Sequence, residues 1–272
     1  MVIPDSVTTI GDAAFYECIS LTSVVIPDSV TTIGEDVFYG CISLPGFTVD
    51  EANKYYQAID GNLYSKDSKT LVQYAVGKTA TSFTVPNSVT TIGLGAFCGC
   101  SGLTSVVIPD SVTEIGDHAF NGCRGLTSVE IGDSVTTIGS WAFNGCTSLT
   151  SVVIPDSVTT IGVFAFHYCT SLTSVVIGDS VTTIGDAAFY VCTSLTSVVI
   201  GDSVTEIGDS AFKNCTSLTE VYYKGTAKEW AQISIGYSNS YLTYATRYYY
   251  SETQPTTSGK YWRYVNGVPT KW

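Results

Sequence analysis

Charge is scarce in this chain. Charged residues occupy 13% of its 272 positions, about half the ~25% usual in soluble proteins. Basic residues are the scarcer kind: 12 Lys and Arg stand against 24 Asp and Glu, a formal net charge of −12. That argues against a nucleic-acid partner, which needs a basic face to displace phosphate counterions. It argues equally against docking on anionic lipid. Two histidines and one methionine leave no material for a His-rich metal site. No apolar run reaches the ~18 residues of a membrane span, so this segment is not expected to insert in a membrane. No Gly-x-Ser-x-Gly elbow and no phosphate-cradling Gly loop occur. His118 and His167 stand in different repeat columns and read as solvated residues of the convex side. No catalytic set and no cofactor is therefore expected.

Ser and Thr fill the place of charge, 68 of 272 residues. They are distributed by a repeat. SVTTIG or a near copy starts at Ser6, Ser29, Ser88, Ser111, Ser134, Ser157, Ser180 and Ser203, at a spacing of 23 residues. Only the step from Ser29 to Ser88 departs, at 59 residues, so 36 extra residues interrupt the period. Val7, Ile10, Gly11, Phe15, Cys18 and Leu21 recur in all eight copies, and Ala14 in seven, with Val37 the exception.

The unit reads as one coil of a stack. Ser23–Ile26 is short and β-branched, a strand signal, stopped by Pro27-Asp28 or by Gly132-Asp133 in another copy. Val7–Ile10 is a second extended piece ending at Gly11. Asp12–Cys18 is too short for a free helix and is expected to form a single helical or 3₁₀ turn that drops Ala14, Phe15 and Cys18 inward. One unit cannot bury its apolar set, whereas stacked units share a continuous core.

The unit Ser6–Asp28, SVTTIGDAAFYECISLTSVVIPD, resembles the BspA-like leucine-rich repeats, with Ala-Phe-x-x-Cys as its most specific part. Residues 1–223 share the pattern apart from the interruption. The resemblance implies a mainly-β repeat solenoid, right-handed, with a parallel sheet on one face. It also implies a secreted or cell-surface protein of bacteria or protozoan parasites, often adhesive. Ser29 and its equivalents stand about where ordinary leucine-rich repeats place a ladder Asn, so a Ser ladder is expected. The organisation read from the chain is repeats over 1–44, a β-rich insert over 45–82, repeats over 83–223 and a C-terminal cap over 224–272.

Eight cysteines share one column, from Cys18 to Cys215. Stacked neighbours sit ~4.8 Å apart with parallel Cβ directions, outside the ~3.5–4.5 Å that a disulfide wants. Buried free thiols are expected, and no Cys-x-x-Cys or His partner supports zinc. The Asp column, Asp28, Asp110, Asp133, Asp156, Asp179 and Asp202, reads as a solvated acidic ridge, with calcium between neighbours as the sharper reading. The insert carries turn residues that predict a hairpin with strands near 62–66 and 70–75. It is either a plain spacer or, through Lys54, Lys66, Lys69 and Lys78, a local basic patch. The first strand begins in mid-coil and no signal peptide precedes it, so either a fragment of a longer exported chain or a chain that shields this end by dimerising is expected.

Side-chain alternation along the strand points Val24 and Ile26 inward and Val25 outward. The outward column includes Val107, Glu130, Val153, Val176, Val199 and Tyr222. An apolar stripe on a low-charge face predicts a protein-binding surface, for host extracellular matrix or another surface protein. A stalk that only holds other domains away from the cell fits the near-identical columns as well. In the tail, Trp262, Tyr264 and Trp272 cluster on a hairpin turning at Asn266-Gly267. They read as a cap over the last coil or as a glycan platform.

Overall fold

The computed structural model describes all 272 residues. It is a mainly-β solenoid of coils about 23 residues long, with almost no helix. Each regular coil supplies two strands. The longer, such as Ser105–Ile108, buries Val106 and Ile108 and leaves Ser105 and Val107 partly exposed. The shorter, such as Glu114–Ile115, buries its Ile and exposes its neighbour. Both pair in parallel with their counterparts one coil away, Ser105 opposite Ser128 and Ile115 opposite Ile138. Each column therefore stacks on copies of itself. Phe97, Phe120, Phe143, Phe166 and Phe189 form a ring stack with centroids 4.6, 4.9, 5.0 and 5.2 Å apart. Their spacing is the strand spacing of a sheet.

The strands of one face do not form a single ladder. Ser82–Thr84, Ser105–Ile108 and Ser128–Ile131 make one sheet, and a second begins at Ser151–Ile154 and runs to Val268–Lys271. The opposite face carries a ten-stranded sheet that includes the insert. No helix is long and apolar enough to cross a membrane.

Polar columns do more structural work than the sequence announced. The expected Ser ladder is reduced to two rungs, Ser29 Oγ to Val7 O at 2.7 Å and Ser157 Oγ to Val135 O at 2.5 Å. Thr forms the ladders instead. Thr136, Thr159 and Thr182 each donate Oγ1–H to the carbonyl of the Thr one coil earlier, at 3.1, 3.3 and 3.2 Å. A second Thr ladder runs through Thr127, Thr150, Thr173 and Thr196. The reason is local. Each Thr N–H already bonds that same carbonyl, as Thr136 N does Thr113 O at 2.9 Å, which holds the hydroxyl over the second lone pair. The Asp ridge, like the Ser column, bonds between coils at two places. Asp110 accepts from Asp133 N, and Asp156 from Asp179 N, both at 2.8 Å.

The segment after each Gly corner is not a helical turn. In the coil of Phe143, Ala142, Asn144 and Cys146 bond three residues back. Trp141, Phe143 and Gly145 bond carbonyls of the next coil at 2.9, 2.7 and 2.8 Å. A helix would have directed those alternate N–H groups along its own axis and left the stack unbonded. The alternation requires two left-handed residues per coil. Both columns hold positive φ in all eight copies: one runs from Ala13 to Ser210 and the other from Glu17 to Asn214. In the second column Gly40, Gly99, Gly122, Gly145 and Asn214 adopt it readily, but Val191 is held at φ 63°. A β-branched residue there is strained, by ~1–3 kcal/mol. Val191→Asn is expected to stabilise the fold by about 1 kcal/mol. Thermal unfolding of the two proteins checks it, and an unchanged or lowered midpoint contradicts it.

The insert divides the core. Its strands Tyr56–Ile59, Asn62–Ser65 and Thr70–Gln73 each pair antiparallel with the next, and the last rejoins the stack in parallel with Thr91–Ile92. Leu63 and Ala75 belong to a 12-residue N-terminal core, whereas Tyr64, Leu71 and Tyr74 belong to the main core of 53 residues. Buried Asn53 replaces the column Val and is fully bonded. It donates to Pro27 O and Val30 O and accepts from Tyr55 N and Tyr56 N. After the last coil, Ala227–Trp230 is a short helix whose Thr226 and Glu229 form a capping box. Thr246–Tyr250, Tyr261–Val265 and Val268–Lys271 then extend the sheet.

Candidate binding faces

The outward column of the longer strands is uneven. Val107 and Val176 are half-buried, Glu130 is exposed and Val153 is 61% exposed. Val199 and Tyr222, expected to face solvent, are covered. Together with Trp262 they form a separate buried cluster. The Trp262 ring meets Tyr222 edge-on at 5.5 Å, and its indole N–H donates to Tyr223 O at 3.0 Å. The tail thus closes the stripe at its C-terminal end, where Val176 packs against the cluster, and leaves Val107 to Val153 open. The interruption between the two sheets falls inside this open stretch, between Glu130 and Val153. A cavity of about 570 Å³ lies on its rim, lined by Val107, Pro109, Asp110, Glu130 and Gly132.

The same placement corrects the glycan platform. Trp262 is fully buried, and its indole N–H is already spent on a carbonyl. Tyr264 is half-buried against Trp262 at 4.9 Å, and Lys224 lies over its ring at 5.7 Å. Trp272, 39% exposed, carries Arg263 at 3.9 Å from its ring centroid. With Trp262 buried edge-on against Tyr264, and cations over Tyr264 and Trp272, the three rings present no common flat surface. The tail hairpin acts instead as a lid on the last coils. The chain's two ion pairs, Lys224–Asp179 and Lys271–Glu220, help to fix it. The hydrogen bonds from Lys271 and Tyr222 hold the Glu220 carboxyl below its ordinary value against the opposing effect of burial.

The cysteine column is chemically quiet. Cys123, Cys146, Cys169, Cys192 and Cys215 each donate Sγ–H to a Phe carbonyl of the preceding coil, at 3.0 to 3.3 Å. Burial pushes the thiols of Cys123, Cys169 and Cys215 up to about 12, so almost no thiolate exists at neutral pH. Cys18, on the first coil, is exposed. Native alkylation should modify one cysteine, Cys18, and unfolding should release the rest. Mass spectrometry after iodoacetamide checks this, and rapid labelling of Cys146 would contradict it.

His167 also departs from the reading of a solvated residue. It is half-buried, stacks on Tyr190 at 5.1 Å and bonds Asn144 Oδ1 through Nδ1 at 2.9 Å. Burial lowers its pKa below the ordinary imidazole value. His118 stacks on Trp141 at 6.0 Å, and Trp141 on Phe164 at 4.1 Å. These three occupy the first left-handed column, whose role only the backbone reveals. No three His, Cys, Asp or Glu side chains converge as metal ligands. In the Asp ridge, Asp110 and Asp156 each spend an oxygen on a backbone N–H, and Asp179 pairs with Lys224.

Comparison with known proteins agrees with this geometry. A family model described as BspA type leucine rich repeat region, in 6 copies, matches residues 1–71, 73–190 and 143–243. No curated protein matches the chain. Among solved structures, a leucine-rich repeat protein from Eubacterium ventriosum is 29% identical over 99% of this chain and 68% of its own, with a TM-score of 0.79. A leucine rich cell surface protein from Faecalibacterium prausnitzii is 35% identical over 85% of this chain, with a TM-score of 0.65, and this chain spans 55% of its length. A leucine rich repeat protein of T. pallidum is 30% identical over 69% of this chain and 85% of its own, with a TM-score of 0.57. With the repeat, the coil geometry and the family model in agreement over most of its length, the chain belongs to the BspA-type leucine-rich repeat family.

Proposed function

We propose that this chain is a non-enzymatic binding module of the cell surface that takes a protein partner on the open part of its sheet face. The observation that carries the reading is the stripe from Val107 to Val153. It exposes apolar side chains, with Val153 61% exposed, on a surface poor in charge and flanked by hydroxyls. The cell-surface assignment draws on the family and on the name of the Faecalibacterium relative. The partner is an extracellular-matrix protein of a host or another surface protein. The second reading, a stalk, is favoured by the unbroken Thr ladders, which stiffen the stack without needing a ligand.

Lysine at Val153 and at Val176 separates the two readings. The Val153 side chain points outward and is 61% exposed, so the fold tolerates the change there. Val176 packs against the tail cluster, so its variant is read beside its melting temperature. A charge on the stripe is expected to weaken partner binding by roughly tenfold or more. The chain and its variants are passed over immobilised, purified extracellular-matrix proteins and binding is read by surface plasmon resonance. Retention of the wild type and loss in Val153→Lys is the expected result. Absence of binding to every matrix and surface protein tested leaves the stalk as the function.

A further inference from the structure

A second concave surface lies on the turn face, away from the sheet stripe. Its volume is about 550 Å³, and its lining includes Tyr39, Asn121, Gly122, Asn144, Gly145 and Tyr168, with Arg124 at its edge. The groove exists because the second left-handed column changes residue along the stack. Where the column is Gly, at Gly99, Gly122 and Gly145, it contributes no side chain of its own. Where it becomes Tyr168, 48% exposed, a ring closes the end. Tyr39 forms the opposite wall by lying across the glycines. A Cβ on Gly99 would meet its ring at 3.3 Å, and one on Gly122 its hydroxyl at 3.7 Å. Tyr16 stacks behind it at 4.8 Å and holds its plane. The two rings are therefore separated by the coils of Gly122 and Gly145, on the order of 10 Å at the coil spacing.

Between the rings runs a polarised row of amides. His167 Nδ1–H donates to Asn144 Oδ1 at 2.9 Å, and Asn144 Nδ2–H donates to Asn121 Oδ1 at 2.8 Å. Each amide keeps a second N–H and a second oxygen lone pair beyond this row. The row fixes their orientation in advance. Arg124 is exposed and belongs to neither ion pair of the chain, so its fork of donors is free. Flat aromatic walls, paired amide donors and acceptors held in place, a bare backbone floor and one free guanidinium match the chemistry of a sugar. The C–H faces of a pyranose suit rings, and its hydroxyls both donate and accept. We infer that this groove binds a short oligosaccharide, about two rings long, between Tyr39 and Tyr168, at a site independent of the protein-binding stripe.

The test is a glycan array probed with the 272-residue chain, followed by calorimetric titration of the strongest hit. Three groove variants and one control are compared. Gly145→Asn fills the floor in a conformation that Asn214 already adopts at φ 59° in the same column. Tyr168→Asn removes one wall at the same tolerated position, and Arg124→Ala removes the free cation. Val153→Lys alters only the sheet stripe. Binding to a defined set of glycans, lowered roughly tenfold or more by Gly145→Asn and Tyr168→Asn, less by Arg124→Ala, and unchanged by Val153→Lys, is the expected result. The inference is overturned if no glycan binds, or if the groove variants bind as the wild type does. Unchanged melting temperatures in the variants keep a loss of binding from being read as a loss of fold. Loss of the protein partner in Val153→Lys with glycan binding intact keeps the two sites distinct.

Discussion

Phe143→Ala is expected to remove about 3–5 kcal/mol of stability, the usual range for a fully buried Phe. That is a large share of the ~5–15 kcal/mol available to a folded domain. The ring is 0% exposed and lies between Phe120 and Phe166 at 4.9 and 5.0 Å, each within 3° of parallel. Truncation therefore loses two stacking contacts together with the burial, and it opens a void that the flanking coils cannot close. Their separation is fixed by the Thr and backbone ladders on both sides. Denaturant titration followed by circular dichroism measures the cost. A second readout tests whether the effect is local. In a stack each coil touches only its neighbours, so amide exchange should quicken most in the coils of Phe120, Phe143 and Phe166, and least around Trp262. Phe15→Ala supplies the comparison. Phe15 is half-buried and has one ring neighbour, Phe38, at 5.5 Å, so its loss should cost less than half as much. Equal costs at the two positions would show that the ladder is not the source of stability.

The apolar half of this architecture was legible in the sequence because burial acts on side-chain type. Only an apolar residue of the right size fits a column that stacks on itself, so Val7, Ile10, Phe15 and Leu21 repeat and announce the coil. The hydrogen-bonding half was much less legible. A Thr that donates to the preceding coil and a Thr that faces water look alike in sequence, so Thr136 gave no sign of its ladder while Ser29 drew the expectation. The left-handed columns were hidden for a related reason. Positive φ is imposed here by inter-coil bonding, which overrides the preference of Trp141, Phe164 or Val191, so Gly is not required and the usual signal is diluted. A run of Gly40, Gly99, Gly122 and Gly145 was the one legible trace of it. The covering of Val199 and Tyr222 could not be read either. It depends on Trp262 reaching back across the sheet from 40 residues past Tyr222, and no local pattern encodes such a contact.

The invariant Gly at the coil corner, from Gly11 to Gly208, has a different cause, and it yields the sharpest internal contrast. None of these glycines has positive φ, so backbone freedom does not explain the column. Close approach does. A Cβ on Gly162 would sit 2.5 Å from the carbonyl carbon of Gly139 and 2.6 Å from Ser140 N, both backbone atoms of the preceding coil. Gly162 N also donates to Ile138 O at 2.9 Å, so the coils are tied where a methyl group would force them apart. Gly162→Ala must break that bond or tilt the stack, and its cost should be at or above the ~3 kcal/mol upper end of ordinary overpacking. Gly11 occupies the same column in the first coil, and a Cβ there would meet nothing within 4 Å. In this chain Gly11→Ala should therefore be neutral or stabilising, by up to about 1 kcal/mol, because Ala restricts the unfolded chain. The pair tests one idea with chemically identical substitutions. Denaturation midpoints at equal m-values measure both. If Gly11→Ala destabilises as strongly as Gly162→Ala, the column serves the conformation of its own coil. If only Gly162→Ala does, the glycine is there to let the next coil dock.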